Sequence, residues 1–207
     1  TWQQADCIPS EHLVSVARAE TGKVYFVDDT GNLNMLEGER LRLEPYNSID
    51  GYNRILQILP QGKDSCWVVT DEGVFIQHSS GKKEKVPFVG SPKVLLLDGN
   101  TTWCGTSARL SSWTTGATRP ADFLHQRITA LTKDDEGLIW AGGIDGIYCS
   151  ADSFKRNWGL EFPELQTRII ALQGGPDNSI WIASPDAGLL KAQVKQGKVV
   201  RLWNANK

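Results

Sequence analysis

Five residues that carry or can carry positive charge stand at one equivalent place along this chain. His12 precedes Leu13, Arg54 precedes Ile55, Lys93 precedes Val94, Arg127 precedes Ile128 and Arg168 precedes Ile169, and each opens a short apolar run. Arginine presents a planar fork of donors that fits a carboxylate bidentately. Several such groups converging on one place would attract an anion, for example the carboxylate of an acidic sugar. A matching set of acids lies in the turn-forming stretches that follow: Asp28, Asp29, Asp71, Glu72, Asp145 and Asp186. Two expectations stay open here. The acids pair with the bases as salt bridges and leave little net field, or the bases stay free to receive a ligand. Asp71 and Asp145 are also the residue type that a lyase or glycoside hydrolase would need, although acids in such stretches are commonly solvated turn formers.

Other chemistry finds little support. The three histidines, His12, His78 and His125, fall in no Ser-His-Asp or Cys-His arrangement that spacing alone supports. Cys7, Cys66, Cys104 and Cys149 include no C-x-x-C pair and have no histidine at metal-ligand spacing, which argues against zinc. They are expected to be buried apolar thiols, with disulfides left open. The glycines of "WAGGIDG" at 140–146 are not followed by a helix pattern, and the chain lacks G-x-x-x-x-G-K-[ST], so a phosphate cradle is excluded. No metal or cofactor is expected, and the chain is expected not to be an enzyme.

The elements that would position these residues emerge from an internal repeat. "RITALTKDDEGLIWAGGIDGIY" at 127–148 superimposes on "RIIALQGGPDNSIWIASPDAGLL" at 168–190, on "RILQILPQGKDSCWVVTDEGVF" at 54–75 and on "HLVSVARAETGKVYFVDDTGNL" at 12–33. An aromatic follows the first apolar residue by 12 positions in all four: Leu13 to Tyr25, Ile55 to Trp67, Ile128 to Trp140, Ile169 to Trp181. Gly31, Gly73, Gly146 and Gly188 then open the next run. A looser copy, "KVLLLDGNTTWCGTSARL" at 93–110, has a shortened first hairpin, and Arg109 or Leu110 replaces the glycine. The aromatics recur every 36 to 42 residues (Tyr25, Trp67, Trp103, Trp140, Trp181).

Each copy reads as three short strands punctuated by Gly, Asp and Asn, which tolerate the positive φ of tight hairpins. A fourth strand is expected in each linker: "RLRLEPY", "KEKVPF", "RPADFL", "NWGLEF" and "VVRLW". About 40 residues per four-stranded unit is the arithmetic of a β-propeller blade. The expectation is therefore an all-β chain, residues 1–207, with five blades at approximately 12–50, 54–89, 93–124, 127–163 and 168–204. A β-sandwich is the alternative, but it does not demand a fixed aromatic at this period. In a propeller the first strand lines the central channel, so the five bases would ring its mouth. The strand-two aromatic would bury roughly 150–250 Å² against the next blade. Trp113, Trp158 and Trp203 fall outside that position, in or near outer strands, where they cap blade edges or stack on a ligand.

Composition fits a globular chain: 40% apolar and 22% charged residues, with a net charge of −2. That charge does not suggest a nucleic-acid partner. The longest compact apolar patch is "VLLL" at 94–97, far short of the roughly 20 residues of a membrane helix. The lack of an initiator Met and of a secretory leader leads to the expectation of a processed or excised piece of a larger protein. "TWQQAD" at the start reads as a spare outer strand, which would close a ring or belong to a further blade.

The pattern I-x-A-L-x-x-D-x-x-G-x-I-W-x-G followed by Gly-Ile, carried by "ITALTKDDEGLIWAGGIDGIY", resembles the two-component regulator propeller repeat. "IPSEHLVSVARAETGKVYFVDDTGNL" is similar in its Pro-Ser lead-in and Gly turn. Tyr25 stands in place of Trp, and the Gly-Thr usual after Trp survives only as "CGT" at 104–106. These repeats build the sensor regions of bacterial hybrid two-component systems. The resemblance implies a non-catalytic, periplasmic or extracellular sensor that binds a carbohydrate or other small ligand and signals through kinase and membrane regions of a larger polypeptide. A homodimer is left open. A structural propeller binding protein partners in a cell-surface assembly is the runner-up, and a propeller lyase or hydrolase is third.

Overall fold

A computed structural model of the chain describes residues 13–19, 22–28, 33–36, 44–45, 55–62, 65–78, 80 and 82–205. It is all-β, with five small antiparallel sheets of three or four strands. The chain divides into two compact units, Thr1–Phe88 and Val89–Lys207.

The first unit holds two sheets. One runs β1 (Leu13–Arg18), β2 (Val24–Asp28), β3 (Leu33–Leu36) and β4 (Glu44–Pro45), and the other runs β5 (Ile55–Gln61), β6 (Ser65–Thr70), β7 (Gly73–His78) and β8 (Lys83–Val86). The inner strands β1 and β5 lie side by side. Val27, Ile55, Ile58, Cys66 and Val68 form one buried cluster that joins the two sheets, with Tyr25 packed against it.

The second unit holds three sheets. These are β9 (Pro92–Asp98), β10 (Thr101–Thr106), β11 (Leu110–Thr114) and β12 (Ala121–Leu124); then β13 (Ile128–Lys133), β14 (Ile139–Gly143) and β15 (Ile147–Cys149); then β16 (Ala171–Gly175), β17 (Ser179–Ser184), β18 (Gly188–Lys195) and β19 (Lys198–Asn204). Strands within each sheet pair in sequence order through tight turns, and the inner strands β9, β13 and β16 are successive neighbours. This is the blade architecture expected from the repeat.

Two of the strand-two aromatics take the packing role that their period implies, while Tyr25, Trp103 and Trp181 are half-buried. Trp67 and Trp140 are fully buried. Trp140 shares a cluster with Ile169, Leu172, Ile180, Ile182 and Leu190, which belong to the following blade. Leu110 and Ile128 meet Phe154 in a second cluster, which joins the third and fourth blades. Two glycines let these blades approach. A Cβ on Gly105 would stand 2.7 Å from Ile128 Cγ2, and one on Gly142 would stand 2.6 Å from Ile169 Cγ2. Each glycine lies two residues after its blade's aromatic, and each accepts the residue that opens the next inner segment. Any side chain there would force the blades apart.

One expected strand is absent. "NWGLEF" does not pair, and the fourth repeat's sheet has three strands. Residues 150–165 instead carry three single 3-10 turns, Ser150–Asp152, Trp158–Leu160 and Pro163–Leu165. The reason is local side-chain competition. Asn157 accepts a hydrogen bond from Gly159 N and caps the second turn, and Pro163, which has no N–H to give a ladder, starts the third. Ser153 and Phe154 both hold left-handed backbone, with φ of 61° and 62°. That bend delivers the buried Phe154 ring against Trp103 and Phe123, at centroid separations of 5.5 and 5.6 Å. Trp158, expected at an outer edge, is buried as well.

Two strand starts also differ. β16 begins at Ala171 because Ile169 N donates to Gly143 O of the preceding blade (2.9 Å) instead of to its own sheet. β9 begins at Pro92, so Lys93 lies inside the strand and not before it.

Candidate functional site

The turn between the second and third strands is built by a recurrent hydroxyl. Thr70 Oγ1 accepts from Glu72 N (3.1 Å), Thr106 Oγ1 accepts from Ala108 N (3.2 Å) and Arg109 N (3.0 Å), and Ser184 Oγ accepts from Asp186 N and Ala187 N (both 3.2 Å). Each is the third residue after its blade's Trp. The signal lies in the sequence as a Ser or Thr at fixed spacing, and the Gly-Thr pair at 105–106 is one instance of it. The fourth blade departs from the rule in having Gly143, without a hydroxyl, at that place; it keeps the backbone bond from Gly143 N to Gly146 O (2.9 Å) that the third blade makes from Thr106 N to Arg109 O (2.8 Å).

The fourth blade's turn brings several candidate residues together. A Cβ on Gly143 would lie 3.5 Å from Arg127 O, from Asp145 Oδ1 and from Gln126 Cδ. Gly143 O receives Ile169 N, the residue after Arg168. The segments carrying Arg127 and Arg168 therefore both reach the same glycine as the Asp145 carboxylate. Asp145 is exposed, and its Oδ1 accepts from the buried Tyr148 hydroxyl at 2.9 Å. Burial pushes the Tyr148 phenol up to about 12, with Asp145 adding to the rise and a hydrogen bond to Gln126 opposing it, so Tyr148 stays a neutral donor at physiological pH. The Asp145 carbonyl accepts from Asn157 Nδ2 at 3.1 Å.

Asp186, in the fifth blade, is also held by a neutral donor: Thr167 Oγ1 lies 2.9 Å from its Oδ2 and 2.9 Å from Ser184 Oγ. Within this second unit, and among the described residues, Lys93, Arg127 and Arg168 make no ion pair with Asp145 or Asp186. Arg127 and Arg168 are exposed, while Lys93 is half-buried with its Nζ 3.4 Å from Ser91 Oγ. Arg109 contrasts with them. Its Nη1 meets Asp122 Oδ2 at 2.6 Å. A hydrogen bond from Ser111, joined by Arg109, holds the Asp122 carboxyl below its usual range against the opposing effect of burial.

Asp71 sits exposed in the turn between β6 and β7 of the first unit. His12 and Arg54 lie outside the described residues, as do Asp29, Gly31, Cys7 and the opening "TWQQAD". Spacing did not single out Gln126, Tyr148, Asn157 or Thr167. Gln126 and Thr167 each stand beside a basic residue already noted, which was the one available clue. Cys66, Cys104 and Cys149 are free and buried, as expected. No group of three potential metal ligands occurs among the described residues. Among the same residues, no helix is long and apolar enough to cross a membrane.

No family model matches the chain, and no curated protein matches it. Solved structures do. The extracellular domain of BT3049 from B. thetaiotaomicron, named as a hybrid two component system, is 18% identical, with a TM-score of 0.72 over 100% of this chain and 30% of its own. Streptogramin B lyase is 14% identical, with a TM-score of 0.75 over 95% of this chain and 70% of the lyase. PorZ, a surface component of the type-IX secretion system of Porphyromonas gingivalis, is 15% identical, with a TM-score of 0.73 over 95% of this chain and 35% of its own. At such identities the likeness is one of fold. The chain spans less than a third of the BT3049 domain's length.

Proposed function

We propose that this chain is a ligand-recognition part of a β-propeller sensor: a non-catalytic, extracytoplasmic module of a two-component signalling protein that takes an acidic oligosaccharide or a similar small anion. The observation that carries this is the state of the charges around Gly143. Asp145 and Asp186 are engaged by the neutral hydroxyls of Tyr148 and Thr167, which leaves Arg127 and Arg168 exposed and without a carboxylate partner. Exposed guanidiniums without a carboxylate partner, on segments that reach the same glycine, favour an incoming carboxylate. The fold shared with extracellular domains of named two component systems agrees with this role. Kinase and membrane regions elsewhere in a larger polypeptide, and a periplasmic or extracellular location, belong to the same proposal.

Calorimetry with acidic and neutral oligosaccharides tests it. Arg127→Ala and Arg168→Ala are each expected to weaken binding of the acidic probe by about 1.5–3 kcal/mol, the range for hydrogen bonds to charged groups. Unchanged affinity in both variants would remove the proposal. Product formation from a probe would favour the lyase reading, for which the streptogramin B lyase fold is the supporting observation. The PorZ fold supports a cell-surface assembly role instead. That alternative expects silence towards every glycan and a protein partner on co-purification.

A further inference from the structure

The 3-10 segment that replaces the fourth blade's outer strand is fastened at three points. Phe154 is inserted between blades against Trp103 and Phe123. Trp158 is buried, with the Arg156 guanidinium 4.2 Å from its ring centroid and paired on its other side to Glu161. Asn157 makes two bonds at once: its Oδ1 accepts from Gly159 N (2.8 Å), and its Nδ2 donates to the Asp145 carbonyl (3.1 Å). The fit at the third point is close. A Cβ on Gly146 would collide with Asn157 Oδ1, and one on Gly159 would stand 2.9 Å from Asp145 O.

These contacts hold Asp145 in both its backbone and its side chain. Asn157 holds the carbonyl, the Gly143–Gly146 bond closes the turn, and Tyr148 holds Oδ1. The second carboxylate oxygen, Oδ2, has no protein partner among the described residues and belongs to an exposed side chain. A turn acid that merely solvates a loop needs none of this. Each of the two turns that meet here exposes an apolar side chain: Ile144, 51% exposed, precedes Asp145, and Leu160, 75% exposed, follows Gly159 in the 3-10 turn.

We infer that Asn157 is a positioning residue for the ligand site: by pinning the Asp145 turn it presents the Asp145 carboxylate as an acceptor for ligand hydroxyl groups, beside the anion-attracting Arg127 and Arg168. The inference rests on the recognition role proposed above and adds the ligand's chemistry to it. The ligand carries hydroxyl donors for Asp145, a carboxylate for the arginines and an apolar face for Ile144 and Leu160, as an acidic sugar ring does. An acceptor already held in its bound geometry avoids the cost of ordering it on binding.

The test uses digalacturonic acid and its neutral counterpart, a galactose disaccharide, titrated by calorimetry into the chain and its variants. Asp145→Asn should weaken both probes by a similar factor of about ten, the loss of one charge-assisted hydrogen bond. Arg127→Ala and Arg168→Ala should weaken only the acidic one. Asn157→Asp keeps an oxygen for Gly159 N and loses the donor to the Asp145 carbonyl. It should retain the wild-type circular dichroism spectrum while weakening both probes, and in the Asp145→Asn background it should add little. A role confined to capping the 3-10 turn predicts wild-type affinity for Asn157→Asp, which would overturn the inference. If Asp145→Asn binds both probes as wild type does while the arginine variants lose the acidic one, the inference falls and the recognition role stands. If wild-type protein binds neither probe, both fall.

Discussion

The indole Nε1 of Trp140 donates to Asp134 Oδ2 at 2.7 Å, inside the protein. The partner residue stands six positions earlier, in the turn between β13 and β14. Its other oxygen accepts from Glu136 N (3.0 Å) and Leu138 N (2.8 Å). One carboxylate thus shapes the hairpin and satisfies the blade's packing aromatic. The second blade has the same arrangement with a neutral acceptor, Gln61 Oε1, at 2.8 Å from Trp67 Nε1. The third blade's hairpin is shortened, and Trp103 Nε1 is buried with no hydrogen-bond partner. In the second and fourth blades the repeat's aromatic therefore carries a polar requirement as well as an apolar one.

Asp134→Ala leaves a buried indole N–H and two turn amides without their acceptor. The expected cost is about 2–3 kcal/mol, the upper part of the range for an orphaned buried donor. Gln61→Ala, at a partly buried pair, should cost less. Urea unfolding of the two variants checks the order. A larger loss for Gln61→Ala would contradict the account.

Gly142→Ala would place a Cβ 2.6 Å from Ile169 Cγ2, and overpacking of this kind costs about 1–3 kcal/mol. Ile169→Ala, at a fully buried site, should cost about 2–5 kcal/mol alone. Together they should cost less than their sum, because the second change removes the atom that the first one strikes. Additive unfolding free energies would show that the blades do not meet there.

Phe154→Ala removes a ring that is 1% exposed and packs against two other aromatics. A loss of about 3–5 kcal/mol is expected, with a change in the near-ultraviolet circular dichroism of the Trp103 environment. A loss under half of that would mean that the segment 150–165 is not what holds the third and fourth blades together.

Burial pushes the Cys66 and Cys104 thiols from 9.0 up to about 12, and Cys149 up to about 11. A thiol whose folded value lies above its unfolded one gives its full stabilising contribution below pH 9. That contribution is lost as pH rises towards the folded value. Unfolding free energy should therefore fall between about pH 9 and 12, and Cys104→Ala should make the fall shallower. Iodoacetamide labelling read by peptide mass should spare all three thiols in native protein at pH 8. Fast native labelling of any of them would contradict their burial.

Much of the fold was legible in the chain itself. The 12-residue offset from Ile128 to Trp140, the glycine at Gly146 and the apolar alternation between them are local features. Strand period, turn geometry and the bulk of an indole determine a blade without help from distant residues. The basic residues at the heads of the inner segments were visible for the same reason, because a repeat makes equivalent positions comparable. The outer strand expected in the fourth repeat does not form because its alternation is weak and side-chain bonds from Asn157 outcompete the ladder for "NWGLEF".

Local pattern alone was thus enough for the blade and its repetition, and for the equivalent positions of Arg127 and Arg168 just before Ile128 and Ile169. How the turn acids are engaged became visible only in three dimensions: Asp145 by Tyr148 and Asn157, Asp186 by Thr167. The tertiary structure also decided that Gly142 admits Ile169, and it shows Asp134 answering Trp140. Some of these pairs are separated by only a few residues, others by tens. Asp134 and Trp140 keep the six-residue spacing of Gln61 and Trp67, whereas the approach of Gly142 to Ile169 depends on the angle at which one blade packs on the next, and the contacts of Asp145 and Asp186 depend on how each turn closes. Close packing makes that angle a property of the whole interface and not of any one repeat.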